Sequence, residues 1–284
     1  SFPQPTQESD PPMNDLFFPL FLVIVASVFQ GTFGLGMKYI KPLPWEAWWL
    51  VYGLVAMIVL PLTWAFLAVP DLCAVISSAP PAAIQKGMLY GFLWGVGGIL
   101  FGVSVGYVGV SITYGIVMGL AAAGGSLIPL AQMENAGSNP ATVYVLVGVA
   151  IMLVGVGICG AAGVRRDRLA AANQTANSGK SFKVGLFIAI SSGVLSALLN
   201  VGFANAAPVA QAAIKAGALP RNSRLAAWVV VLFGAALMNV GYAVLLLIKN
   251  KSWSGFRVAG VGKAYRWAII TGLLWFGALG TYGQ

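Results

Sequence analysis

The sequence contains no histidine, two cysteines (Cys73 and Cys159) and only seven acidic residues. Without His, and with so few Cys, neither a Cys/His zinc site nor a disulfide framework can be assembled. Cys73 and Cys159 read as small apolar fillers of helices. Charged residues make up 8% of the chain and hydrophobic residues 59%, where a soluble domain averages about 25% charged. Mean hydropathy is +0.86. So few charges cannot coat a soluble surface of this size, which makes lipid the solvent of most of the chain. A net charge of +9 would point to nucleic acid in a soluble protein. Here the basic residues fall between apolar runs, where they set membrane orientation, and no nucleic-acid partner is expected.

What is there is a series of eight apolar runs, each near the roughly 20 residues that span a bilayer. They are Leu16–Tyr39, Trp45–Leu67, Gly87–Tyr107, Ser111–Leu130, Thr142–Ala162, Lys183–Asn205, Ala226–Ile248 and Trp267–Gln284. Backbone polar groups in lipid must be satisfied within the element, and runs this long and continuous predict helices rather than barrel strands. The expected fold class is therefore an all-α polytopic membrane protein with eight transmembrane helices. Residues 1–14 (SFPQPTQESDPPMN) are polar and proline-rich and lack the basic start of a signal peptide. They read as a disordered tail or an upstream remnant, with Met13 a candidate natural start. Spans three and four are joined by Val108, Gly109 and Val110 alone, which predicts a tight hairpin. The longest polar link, Gly163 to Phe182, reads as a cytoplasmic linker between a first half (15–162) and a second (183–284).

Twelve of the 16 Lys and Arg residues lie in the odd-numbered loops and four in the even-numbered ones. The positive-inside rule then places the odd loops in the cytoplasm and the N-terminus outside. A periplasm-only reporter fused near Met13 checks this; an inactive reporter refutes it. Trp45, Trp48 and Trp49 open the second span and Trp267 the last, positions where aromatic rings anchor helices at the headgroups.

Chemistry-bearing residues are sparse. Gly91, Gly95, Gly98, Gly102, Gly106 and Gly109 recur every three or four positions on one helix face, and Ser111, Gly115, Gly119, Ala122 and Ser126 do so on the next. Small residues let helices approach closely in lipid; such stripes serve packing, a passage, or both. Ser27, Gln30, Gly31, Gly34 and Lys38 share a face of span one, and Ser192, Ser196 and Asn200 a face of span six. Gln30 and Asn200 lie well inside the membrane, where an unpaired carboxamide costs about 1–3 kcal/mol. Each must meet another helix or a ligand. A carboxamide offers two donors and an acceptor, which suits adjacent sugar hydroxyls, and an aromatic plate suits the apolar face of a pyranose. Gln30, Asn200, Asn205 (a turn further on and rotated away), Trp94 and Trp275 are the substrate-binding candidates. None of the seven acids, Glu8, Asp10, Asp15, Glu46, Asp71, Glu134 and Asp167, lies mid-membrane, whereas an ion-coupled carrier normally holds an ionisable group there. Glu46, Lys38 and Tyr114 are the candidates for coupling or gating. Lys38 also suits snorkelling to the interface.

The run Trp94-Gly95-x-Gly97, with Gly102, Tyr107-x-Gly109-x-Ser111, Gly115-Ile116, Gly119 and Leu127-x-Pro129, resembles a segment of the bacterial L-rhamnose–proton symporter family. So do Trp45-Glu46, Gly193-x-x-Ser196-Ala197, Asn205-Ala206-Ala207-Pro208 and Leu274-Trp275-Phe276. The resemblance runs from about Phe18 to the end. It implies a member of the drug/metabolite transporter superfamily, with ten spans in two inverted five-helix halves and a monosaccharide and a proton as partners. It also implies a midplane site, an inner-membrane location, and no cofactor. On that comparison Gln30 and Asn200 are pseudo-symmetric partners, and the chain, with eight spans, reads as C-terminally truncated. A carrier of another small solute remains open. An integral-membrane enzyme is disfavoured, because the His or acidic cluster that binds metal or phosphate is missing.

Overall fold

The computed structural model describes residues 17–132, 137, 139–172 and 182–282. The expected tail, Glu8, Asp10, Asp15, Glu134 and the linker beyond Ala172 fall outside the described residues. Within them all regular structure is helical. Helix α1 (Phe17–Thr32) tightens into a 3-10 segment, Phe33–Tyr39. Helix α2 (Trp45–Leu54) passes through a π turn, Val55–Val59, into α3 (Leu60–Ala68). A short α4 (Leu72–Ser78) leads to α5 (Pro81–Val108) and α6 (Val110–Ala131). Next come α7 (Ala141–Ala172), then α8 (Phe182–Ser196), α9 (Leu198–Asn205) and α10 (Ala207–Lys215) in one broken rod. Helices α11 (Pro220–Lys249) and α12 (Gly262–Tyr282) complete the chain.

Seven helical stretches are long and apolar enough to cross a membrane: Phe17–Tyr39, Trp45–Ala68, Pro81–Val108, Ile112–Ala131, Thr142–Gly163, Phe182–Lys215 and Pro220–Lys249. The protein is a multi-pass membrane protein. The eighth expected run is helical too, as the 21-residue α12, but it does not join those seven. Lys263 and Arg266 occupy its first turns, and Gly and Thr dilute its apolar face.

Several boundaries move for local reasons. Helices α5 and α11 begin on Pro81 and Pro220, before the apolar runs, because proline suits a first helical turn. Helix α7 runs through the first part of the expected linker to Ala172, since Arg, Leu and Ala are strong helix formers. Its Arg166 donates to the Val108 carbonyl at 2.9 Å and so caps the end of α5. Span six continues past Asn205 because Pro208 starts a new helix after a one-residue break. In span two Pro61 has no N–H, and its ring would strike the carbonyl four residues back. The π turn just before it relaxes that clash: the Leu60 N–H reaches Val55, five residues away.

The core is built by α5 packing on α11 and α8, with α2 against α11 and α12, α6 against α7 and α8, and α1 against α12. The expected hairpin turns at Gly109, whose φ of 83° is open to glycine. Helices α5 and α6 then part, each packing chiefly on other neighbours. Ser104 links them near the turn, donating to Thr113 Oγ1 at 3.2 Å. The glycine stripe is used on two sides. A methyl on Gly91 would stand 2.0 Å from the Val231 carbonyl oxygen, and one on Gly234 would stand 2.0 Å from that of Met88. At this crossing backbone lies on backbone. On α6, Gly115 and Gly119 receive Cys159 and Val156 of α7.

Trp48 and Trp49 do not anchor at headgroups: their exposures are 0% and 4%. They belong to an inward aromatic cluster in which Trp45 stacks on Trp49 and Trp48 on Tyr52.

Candidate functional site

A cavity of about 660 Å³ opens among α1, α2, α5, α6, the α8–α9 break and α12, within the range that takes small molecules. Its walls are aromatic and aliphatic with a few polar side chains. Trp94 from α5 and Trp275 from α12 stack at 5.3 Å and 29°. Tyr52 meets Trp275 edge-on at 6.4 Å, and Trp49 lies 5.2 Å from Tyr52. A second aromatic group, Phe33, Phe101 and Tyr114, lines another part, with Tyr114 5.7 Å from Phe33 and 5.4 Å from Phe101.

The polar lining comes from Ser27 and Gln30 on α1, Ser126 on α6, Ser196 at the end of α8 and Asn200 on α9. The Gln30 amide makes one weak contact, to Met118 Sδ at 4.0 Å, and nothing donates to its buried Oε1. A buried carboxamide oxygen without a donor is costly unless a ligand completes it. Asn200 is half-buried, one helical turn beyond the break at Ala197. Helix α6 presses on that break: a methyl on Gly124 would stand 2.8 Å from Ala197 Cβ. Ser192, of the same sequence stripe, turns instead into the α5–α8 interface and donates to the Gly97 carbonyl at 2.7 Å.

The structure thus brings together Gln30, Trp94, Asn200, Trp275 and Tyr114, from five helices. It leaves three candidates apart. Asn205 does not line the cavity; its amide donates to Val201 of its own helix at 2.8 Å. Lys38 is exposed on the 3-10 segment. Glu46 is buried in the first turn of α2, where its Oε1 accepts from Asn250 Nδ2 at 3.0 Å and Ser252 Oγ at 2.5 Å. It ties the start of span two to the α11–α12 loop, one helical turn before Trp49. Tyr114 packs against Gly34, where a methyl would come within 2.7 Å of its hydroxyl.

Sequence reasoning missed Trp49, Tyr52, Phe101 and Asn239. Asn239 is wholly buried on α11 and accepts the Trp49 indole N–H at 3.1 Å. A lone carboxamide in a long apolar run was the available signal. Among the described residues no group of three or more His, Cys, Asp or Glu side chains could hold a metal ion.

The family profile described as L-rhamnose-proton symport protein matches residues 13–282. The L-rhamnose-proton symporter of Citrobacter koseri is 30% identical over 249 residues, covering 85% of this chain and 70% of its own length. That of Shigella sonnei gives the same identity and coverage. The L-rhamnose-proton symporter of Yersinia pestis is 27% identical over 271 residues, 93% of this chain and 78% of its own. No solved structure matches the chain.

Proposed function

The chain belongs to the L-rhamnose–proton symport family, and from that premise we propose that it imports L-rhamnose with a proton across the bacterial inner membrane. The family is one of transporters, not of enzymes. The observation that carries the reading is the cavity itself, a stacked Trp94–Trp275 pair beside two carboxamides, one with an unanswered oxygen. A pyranose needs that pairing: ring faces for its C–H side and bidentate amides for its hydroxyls. Gln30 and Asn200 bind hydroxyls, and Trp94 and Trp275 hold the apolar face.

The wider fold is an inverted repeat of two five-helix halves, with α12 as its eighth span, the N-terminus outside, and alternating access by rocking of the halves. Two features support it. Packing is paired: the first span lies on the eighth as the sixth lies on the third, and the second lies on the eighth as the seventh lies on the third. The sequence is paired as well, with Gly91-Phe-Leu-Trp94 echoed by Gly272-Leu-Leu-Trp275. Glu46 is the one buried carboxylate among the described side chains, and it serves as the coupling group, with Tyr114 as a gate on the cavity.

Uptake of radiolabelled L-rhamnose by this carrier, in cells lacking their own, tests the reading. An uncoupler abolishes accumulation, and Gln30→Ala or Asn200→Ala lowers Vmax/KM about tenfold at equal expression, the loss of one buried polar partner. A well-expressed protein that takes up no rhamnose overturns it.

A further inference from the structure

Trp48, Trp49 and Trp228 are all buried, with exposures of 0%, 4% and 1%. The indole N–H groups of Trp48 and Trp228 have no acceptor, so this fold tolerates an unanswered indole. Trp49, the one of the three that lines the cavity, is given an acceptor. Asn239 Oδ1 on α11 takes its N–H at 3.1 Å, and the Asn239 amide is held in turn by the Ala235 carbonyl at 3.0 Å. Asn239 packs directly on α5: methyls on Gly95 and Gly98 would stand 3.0 and 3.4 Å from its amide atoms. Its side chain therefore has little freedom, and it transmits that fixity to a ring in the cavity wall.

Three aromatic rings also pack on Trp49. Trp45 stacks on it at 4.9 Å, and Tyr52 and Trp48 tilt against it at 5.2 and 6.5 Å, contacts of shape without the angular preference of a hydrogen bond. The hydrogen bond to Asn239 is directional and fixes where the indole N–H points. We infer that Asn239 is a positioning residue for sugar binding: by anchoring the Trp49 indole it fixes one aromatic plate of the cavity without touching the substrate. The inference rests on the rhamnose reading above.

Two substitutions separate this role from plain packing. Asn239→Leu removes both hydrogen bonds. Asn239→Asp removes the donation to Ala235 and keeps an oxygen for the Trp49 N–H. If Asn239 only fills space, the apolar Leu is the milder change in lipid and the acid the harsher. If it positions Trp49, the order reverses in binding. The measurement is the concentration dependence of L-rhamnose uptake, with surface expression read alongside. We expect Asn239→Leu to raise KM about tenfold with Vmax within about twofold of wild type, and Asn239→Asp to stay within about threefold in KM. Should Asn239→Leu fail to reach the membrane, Trp49→Phe carries the same test: it keeps a plate, loses the N–H, and raises KM with Vmax held. A wild-type KM in Asn239→Leu, equal KM rises in Leu and Asp, or a fall in Vmax alone overturns the inference while leaving rhamnose transport intact. A wild-type protein that transports no rhamnose overturns the functional reading instead.

Discussion

Replacing Gly91 by alanine sets two opposed effects against each other. Alanine favours a helix over glycine by about 1 kcal/mol. Against this, the new methyl would stand 2.0 Å from the Val231 carbonyl oxygen, 2.9 Å from its carbon and 3.2 Å from the Ala235 nitrogen. All three are backbone atoms of α11, so no rotamer change relieves the overlap. The two helices, 28 and 30 residues long, must part by roughly 1 Å, a gap that forfeits a quarter to a half of each dispersion contact across it. Overpacking costs about 1–3 kcal/mol, and a backbone-on-backbone clash belongs at the upper end. The net loss is therefore about 2 kcal/mol, which lowers Tm by about 4–8 °C in a chain of this size. Gly234→Ala, the reciprocal change against Met88, has the same expected loss. Gly148 on α7 has nothing within 4 Å of a built methyl, so Gly148→Ala melts with or slightly above wild type. The assay is the monodisperse fraction on size exclusion after heating in detergent. If Gly91→Ala and Gly234→Ala melt within about 1 °C of wild type, or fall no further than Gly148→Ala, the helices do not cross as described.

Trp275→Ala removes one member of the stacked pair and raises the KM for L-rhamnose by about fivefold to tenfold, the scale of an aromatic pair, while Trp275→Phe gives a smaller rise; equal effects of Ala and Phe would refute a stacking role. Glu46→Gln keeps an amide oxygen for Asn250 and Ser252 but cannot carry a proton. Uphill accumulation of rhamnose is expected to fail in Glu46→Gln, with downhill exchange retained at half of wild type or more. Accumulation at the wild-type level would remove Glu46 from coupling.

The membrane helices were legible because lipid leaves the sequence little choice: each span needs its apolar run, and Trp94, Trp275, Gln30 and Asn200 stand out within theirs. Less legible was rotation. Trp49 reads as a headgroup anchor because it opens a span, and only the packing of α2 on α11 and α12 shows its ring facing inward. Asn205 lies close to Asn200 in sequence, yet its amide satisfies a carbonyl of its own helix. Asn239 is a single polar residue in an apolar run, and its meaning depends on a partner 190 positions away. Helix α7 outran its apolar run because helix propensity does not stop at the lipid boundary.

The π turn of Val55–Val59 makes the second span a joint between two rotational settings. Above it, Trp49 and Tyr52 face the cavity. Below it, Trp64 meets Phe276 edge-on at 6.0 Å and fills the space over Gly280. Deleting one residue from the α-helix between Trp49 and Trp64, with the turn kept, would swing everything beyond it by about 100° relative to Trp49, so that one of the two faces would look into lipid. The i→i+5 turn holds one residue more than α-helix, so a deletion inside it that restores the α ladder leaves both faces where they are. Substitution along this span is constrained only where side chains touch, but its length is fixed to the single residue everywhere except in the turn.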